Sequence, residues 1–188
     1  AASDVYKRQT QDPFYMTMER SAESDGYKKM LQYLDYSMQE AEQYGELYIP
    51  QQHEYGVSVW SKPLSDENAK AKSAAKIQFL DSCMGKKSLD TYKDIVDFMS
   101  EASQTIVDEQ AWYLSIVGIL PAFQGQGLGQ ELVNRVLDKT DALGVSTYLE
   151  TFTPGNMTFY QRLGFEASLK VFEPTTQSDY WIMMRTAK

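Results

Sequence analysis

The chain has 188 residues, 43% of them hydrophobic and 23% charged, with a formal net charge of −8. That length and balance predict one globular domain able to bury a sizeable core. The acidity argues against nucleic acid or an anionic membrane as the main partner, because phosphate binding needs clustered Lys and Arg, and is compatible with a cationic small molecule.

In chain order, Asp4-Val5-Tyr6-Lys7-Arg8-Gln9 resembles the translation of a transposase mosaic-end adapter used to prepare DNA libraries. Residues 1–9 are therefore read as a foreign leader and set aside, and residues 10–188 as a single domain. Ser24 to Tyr44 reads as a helix with Ser24 as N-cap, Tyr27, Met30, Leu31, Leu34 and Met38 on one stripe, and Gly45 as its stop. Glu46–Pro50 and Tyr55–Trp60 read as strands, with His53 and Glu54 near the turn between them. Pro63 breaks the pattern. Residues 65–108 read as helices. Ala74, Ile77, Phe79, Leu80 and Cys83 mark one; Tyr92, Ile95, Val96, Phe98 and Met99 mark another, with Gly85 to Lys87 between. Lys70, Lys72 and Lys76 read as a solvated face. Trp112 to Ile119 is a nearly continuous apolar run, the signature of a buried central strand ended by Pro121. A helix follows from the glycine cluster to Leu143, with Leu128, Leu132, Val133, Val136 and Leu137 inward and Gly144 as its cap. Ser146–Phe152 is a strand, and Asn156–Leu163 a short helix ended by Gly164. Phe165–Phe172 and Tyr180–Met184 are the last strands.

A strand, a glycine turn and a helix in that order make a phosphate cradle. The helix start presents unpaired N–H groups and the positive end of its dipole, and glycine lets that backbone approach a ligand closely. A Walker A loop needs Gly-Lys-Ser/Thr, which does not follow Gly129. A dinucleotide loop needs a third glycine at position 130, which is Gln130. The run Gln124-Gly125-Gln126-Gly127-Leu128-Gly129 instead resembles the Q/R-x-x-G-x-G/A loop of the GNAT acetyltransferase superfamily. Asn156 to Phe165 resembles that superfamily's N-x-x-x-Y-x-x-x-G-F segment, with Asn156 and Tyr160 four apart on one helix face. The likeness runs over about residues 45–186 and is nearest to puromycin N-acetyltransferase and its relatives.

The resemblance implies an α/β GNAT fold: a mixed central sheet flanked by helices, splayed between Trp112–Ile119 and Ser146–Phe152. It implies acetyl-CoA as co-substrate, its pyrophosphate held by backbone amides from Gln124 through Gly129, with Asn156 and Tyr160 nearby. In this alignment Asp12 to Tyr15 matches the end of the family's first helix, so the first strand and most of that helix are expected to be missing. Ala111, where relatives often carry a polar residue, is a departure.

The chemistry needs a neutral amine, a polarised carbonyl and a protonated leaving thiolate. An alkyl amine is mostly protonated at pH 7, so a base must act. Glu150, at the end of its strand, is the candidate. Tyr160 is the candidate acid at sulfur, a role the resemblance also implies, and N–H groups near Val117, Gly118 and Ile119 would polarise the carbonyl. Gly118 suggests a bulge or close ligand approach. Cys83 and His53 have no partners for covalent catalysis, and no metal-ligand cluster is present in the sequence. The expected function is acetyl transfer to a small-molecule amine in a ternary complex. The alternatives are a non-catalytic acyl-CoA-binding module and a protein N-acetyltransferase. A monomer or homodimer in the cytoplasm is expected. Cys83 is the only cysteine, no signal peptide is expected, and no apolar run approaches the ~18 residues of a membrane helix.

Overall fold

A computed structural model describes residues 11–188; the leader expected at residues 1–9 lies outside them. Helix α1 (Pro13–Ser21) begins where Asp12 accepts a hydrogen bond from Phe14 N at 2.9 Å and Pro13 takes the first turn. Asp12 to Tyr15 therefore starts a helix and does not end one, as the family alignment had implied. Helix α2 (Gly26–Tyr44) is preceded by Asp25 in a left-handed conformation, so Ser24 is not its cap. Its buried stripe is Met30, Tyr33, Leu34, Ser37 and Ala41, while Tyr27 is exposed. Strands β1 (Gly45–Tyr48) and β2 (Gly56–Ser61) follow. Helix α3 (Asp66–Phe79) is capped by Ser65 and continues through a π-turn at Leu80–Met84. Gly85 separates it from α4 (Lys86–Ser103). Then come β3 (Trp112–Ile119), α5 (Leu128–Leu143), β4 (Thr147–Thr151), α6 (Met157–Arg162), β5 (Glu166–Glu173) and β6 (Ser178–Arg185).

The six strands form one mixed sheet in the order β1-β2-β3-β4-β6-β5. β1 is an edge strand among the described residues. All neighbours are antiparallel except β3 and β4, which run parallel. A core lies on each face. Helices α1, α2 and α4 pack with Val57, Val59, Ile116, Tyr180 and Ile182. Helices α5 and α6 pack with Trp60, Trp112, Leu114, Leu149 and Met183.

One irregularity decides which β3 side chain faces which core. The register opposite β2 slips between Val59 and Trp60, so Ser115 is an extra residue, and its hydroxyl donates to Val59 O at 3.1 Å. Side chains alternate along a strand, and an inserted residue shifts that alternation. Trp112 and Leu114 therefore face α5, whereas Ile116 faces α2. Of the two readings of Gly118, a bulge or close ligand approach, the bulge sits at Ser115 instead, and Gly118 stays in register with Val57.

The expected helix forms, but one expectation for α3 fails. Its middle borders a cavity and buries no residue fully, with Ile77 37% exposed, while Phe79 at its end stacks on Tyr36 and packs against the core. Lys76 is not a solvated charge: its side chain is 12% exposed and pairs with Glu40 at 3.2 Å. The sequence also gave no sign of Arg185, a buried residue that donates two 2.7 Å hydrogen bonds to Asp141 and one to Leu163 O. These bonds tie the last strand to α5 and to the end of α6.

Candidate active site

The parallel pairing of β3 with β4 covers only Trp112–Thr147, Tyr113–Tyr148 and Leu114–Leu149. Beyond Leu114 the strands part, and among the described residues no strand pairs with β3 on that side. The N–H and C=O groups of an open strand edge are available to a ligand. Residues 115–119 of β3, with Val117, Gly118 and Ile119, form this edge.

At the end of β3, a short 3₁₀ turn (Pro121–Phe123) leads into the glycine loop. Gln124 Nε2 donates to Ile119 O at 3.1 Å, which ties the loop to the strand. Gly125 and Gly127 take φ of 75° and 78°, the left-handed region that favours glycine, and no atom lies within 4 Å of where a Cβ would stand on either. Gly127 precedes α5 with no side chain bonded to the helix start. The first amides of α5 are thus uncapped by side chains, and the loop before them borders open space, an arrangement that can receive an anion. Gly129 also permits close packing: a Cβ there would stand 2.9 Å from Ile119 Cδ1 and 3.1 Å from Phe159 Cε2. Tyr55, missed in the sequence, anchors this region by donating to Glu131 on the first turn of α5 at 2.8 Å.

A cavity of about 780 Å³ lies between the sheet and the helices α1 to α4. Glu150, Asn156, Tyr160 and Val117 all line it; Gly118, Ile119 and the residues from Gln124 to Gly129 do not. Tyr160 and Val117 also pack against the α5 core. Asn156 is exposed and ends a 3₁₀ turn at Pro154–Asn156, and Tyr160 follows one turn of α6 later.

Glu150 sits among aromatic side chains. Tyr148 and Glu150 alternate on one face of β4, and Tyr113 lies beside Tyr148 with ring centroids 4.9 Å apart. Burial raises the Glu150 pKa from 4.5 to about 8; the Tyr113 hydroxyl, facing the carboxyl, pulls it back in part. Glu150 Oε1 is buried and has no hydrogen-bond partner among the described residues. Burial, with the negative charge of Asp12, pushes the Tyr160 phenol to about 12, so it keeps its proton at neutral pH. The pair can therefore present a carboxyl that ionises near pH 8 and a hydroxyl donor within one cavity. Sequence reasoning missed Tyr113 and Tyr148, although their alternation with Trp112, Leu114, Leu149 and Glu150 carried the signal.

No group of three or more His, Cys, Asp or Glu side chains placed to hold a metal occurs among the described residues. No described helix is long and apolar enough to cross a membrane. His53 is exposed at its turn, and Cys83 is half-buried against Gln32.

The sequence model of the Acetyltransferase (GNAT) family matches residues 83–165, which contain β3, the glycine loop, β4 and α6. Solved structures share the fold across nearly the whole chain. A mosquito arylalkylamine N-acetyltransferase like 5b is 15% identical with a TM-score of 0.63, covering 98% of this chain and 94% of that one. A histone acetyltransferase HPA2 and related acetyltransferase from Corynebacterium glutamicum is 19% identical with a TM-score of 0.64, covering 99% and 89%. The Drosophila melanogaster polyamine N-acetyltransferase, which catalyses formation of N-acetylagmatine, is 11% identical with a TM-score of 0.57, covering 98% and 94%. The described chain has the GNAT acetyltransferase fold: a six-stranded mixed sheet flanked by helices.

Proposed function

We propose that this chain is an N-acetyltransferase that transfers acetyl from acetyl-CoA to the amine of a small molecule, by direct attack with both substrates bound. The observation that carries this reading is that Glu150 and Tyr160 line one cavity where β3 and β4 stop pairing, while the glycine loop that follows β3 leads into an α5 start with no side-chain cap. Acetyl-CoA, when bound, supplies an acetyl thioester. Backbone amides of Gln124, Gly125, Gln126, Gly127, Leu128 and Gly129 would hold its pyrophosphate, with Asn156 beside them. The open edge at Val117, Gly118 and Ile119 would orient the acyl carbonyl and polarise it. Glu150 accepts the proton of the acceptor amine; a pKa near 8 brings it closer to an alkyl ammonium and lessens the uphill transfer. The Tyr160 hydroxyl donates to the departing sulfur. An acceptor enclosed between helices and sheet suits a small molecule better than a protein chain. That three similar folds belong to acetyltransferases, two of them acting on small amines by name, supports the same choice.

A thiol-release assay with acetyl-CoA against a panel of amines, antibiotics included, tests the reading. Release that depends on both acetyl-CoA and an amine is expected. Tight acetyl-CoA binding with no release for any amine would favour a non-catalytic acyl-CoA-binding module.

The cradle has its own test. Gly127→Asp places a carboxylate where the pyrophosphate would lie, and Asp tolerates the left-handed conformation better than most residues. Calorimetry is expected to show acetyl-CoA affinity falling by more than about tenfold while the protein stays folded. Unchanged affinity in the folded variant would remove the loop from the cofactor site.

A further inference from the structure

Lys76 is the most enclosed lysine of α3, a helix that buries no residue fully. Its Nζ lies 3.2 Å from Glu40 Oε1 and 5.2, 5.0 and 5.9 Å from the ring centroids of Tyr33, Tyr36 and Tyr92. Three aromatic rings and a carboxylate around one ammonium form a box suited to organic cations. In this structure the Lys76 ammonium occupies it. Glu40 is not fully used by it: Oε2 is buried and has no hydrogen-bond partner among the described residues. An unpaired buried carboxylate oxygen is costly, and a further donor would relieve that.

The box opens on the cavity already described. Glu40, Lys76, Tyr33 and Tyr92 line it together with Glu150 and Tyr160. Tyrosines connect its two ends. Tyr113 lies within the field of both Glu150 and Tyr33, and Tyr33 within that of Glu40. Each end thus carries a carboxylate with one orphaned oxygen, Glu150 Oε1 on β4 and Glu40 Oε2 on α2.

We infer that Glu40, Tyr33, Tyr36 and Tyr92 form a second cation subsite of the acceptor cavity, which takes the remote ammonium of a diamine-class acceptor and which Lys76 fills in its place. The identity of the reacting amine rests on the acetyl-transfer reading above; binding of the remote ammonium does not. The two ammonium groups compete, since both cannot occupy the box without repulsion. Lys72, 4.0 Å from Glu40 Oε1, is the other cation facing that carboxylate. Lys76 can yield because the anchors of its helix lie at its end, in Phe79 stacked on Tyr36 and in buried Leu80 of the turn that follows, and the helix has no fully buried side chain of its own. Burial also holds its ammonium below the usual lysine pKa despite Glu40, which weakens its grip on the box.

The test compares 1,4-diaminobutane and 1,5-diaminopentane with butylamine and pentylamine by calorimetry on the full chain, with circular dichroism confirming each variant's fold. Lys76→Met is expected to bind the diamines about tenfold more tightly than the unaltered protein, with the monoamines little changed. Glu40→Gln is expected to erase the preference for diamines. If it does not fold, Tyr36→Leu serves instead, with an expected loss of about tenfold in diamine affinity. Diamines and monoamines binding alike in both the unaltered protein and Lys76→Met would overturn the subsite. Thiol release measured alongside separates the two claims. Diamine-selective binding without acetyl transfer leaves the subsite standing and sinks the enzyme reading. Acetyl transfer without any diamine preference does the reverse.

Discussion

Replacing Tyr160 with phenylalanine is expected to lower the turnover number by about 10²–10⁴ while acetyl-CoA affinity stays nearly unchanged, the range that a positioned general acid contributes. The substitution removes one hydroxyl and little volume, and the ring keeps its edge contacts with Phe159 and Phe165. The effect should fall on the chemical step because the phenol is protonated across the neutral range: burial and Asp12 hold its pKa near 12. A free thiol ionises at about 8.5, so the hydroxyl stabilises the developing thiolate mainly as a strong donor. Steady-state kinetics with calorimetry on the same variant separates the outcomes. A loss confined to affinity would make Tyr160 a cofactor-holding group, and no loss in either would reduce it to a packing residue.

The second large effect is expected at Glu150, in both rate and stability. Glu150→Gln keeps the shape of the neutral acid and removes the base, so kcat/KM should fall by about 10²–10⁴. In the unaltered protein, kcat/KM should rise with pH through about 8 as the carboxyl ionises. That limb should vanish in the variant. The limb from ionisation of an alkyl amine acceptor, near its own pKa of about 10.4, should remain. A lower rate with the limb at 8 intact would mean that another group is the base. Stability gives an independent readout. Because the folded-state pKa is raised from 4.5 to about 8, the folded protein retains a proton that the unfolded chain releases between those values. The contribution of Glu150 to stability is full below about pH 4.5 and is lost as pH rises through 8. Glu150→Gln should therefore melt with the unaltered protein at pH 4 and above it at pH 9. Coincident melting curves at both would show that the carboxyl is not held in the environment described.

What the sequence by itself determined about this protein is its local signals. Trp112–Ile119 is a strand with the bounds its apolar run implied, because Pro121 cannot continue the ladder. Gly127, Leu143 and Gly144 delimit α5 as expected, since positive φ at both ends favours glycine. Asn156 and Tyr160, singled out by a family resemblance, both line the cavity, and Asp12-Pro13 carried a legible helix start that the family alignment overrode. What only the tertiary structure decided depends on partners distant in the chain. The Ser115 bulge sends Ile116 to the opposite face from Leu114, and it exists through the register with β2, more than fifty residues earlier. Glu150 is a candidate base from its place at the end of its strand, but its raised pKa comes from burial that only the packing around it supplies. Lys76 reads as a solvated charge because its neighbours on α3 are polar. Its enclosure comes from Glu40, Tyr33 and Tyr36 on α2 and Tyr92 on α4, brought together only when those helices pack around the cavity. Periodicity reports which face of an element is apolar, whereas the desolvation of a charge is set by everything packed against it.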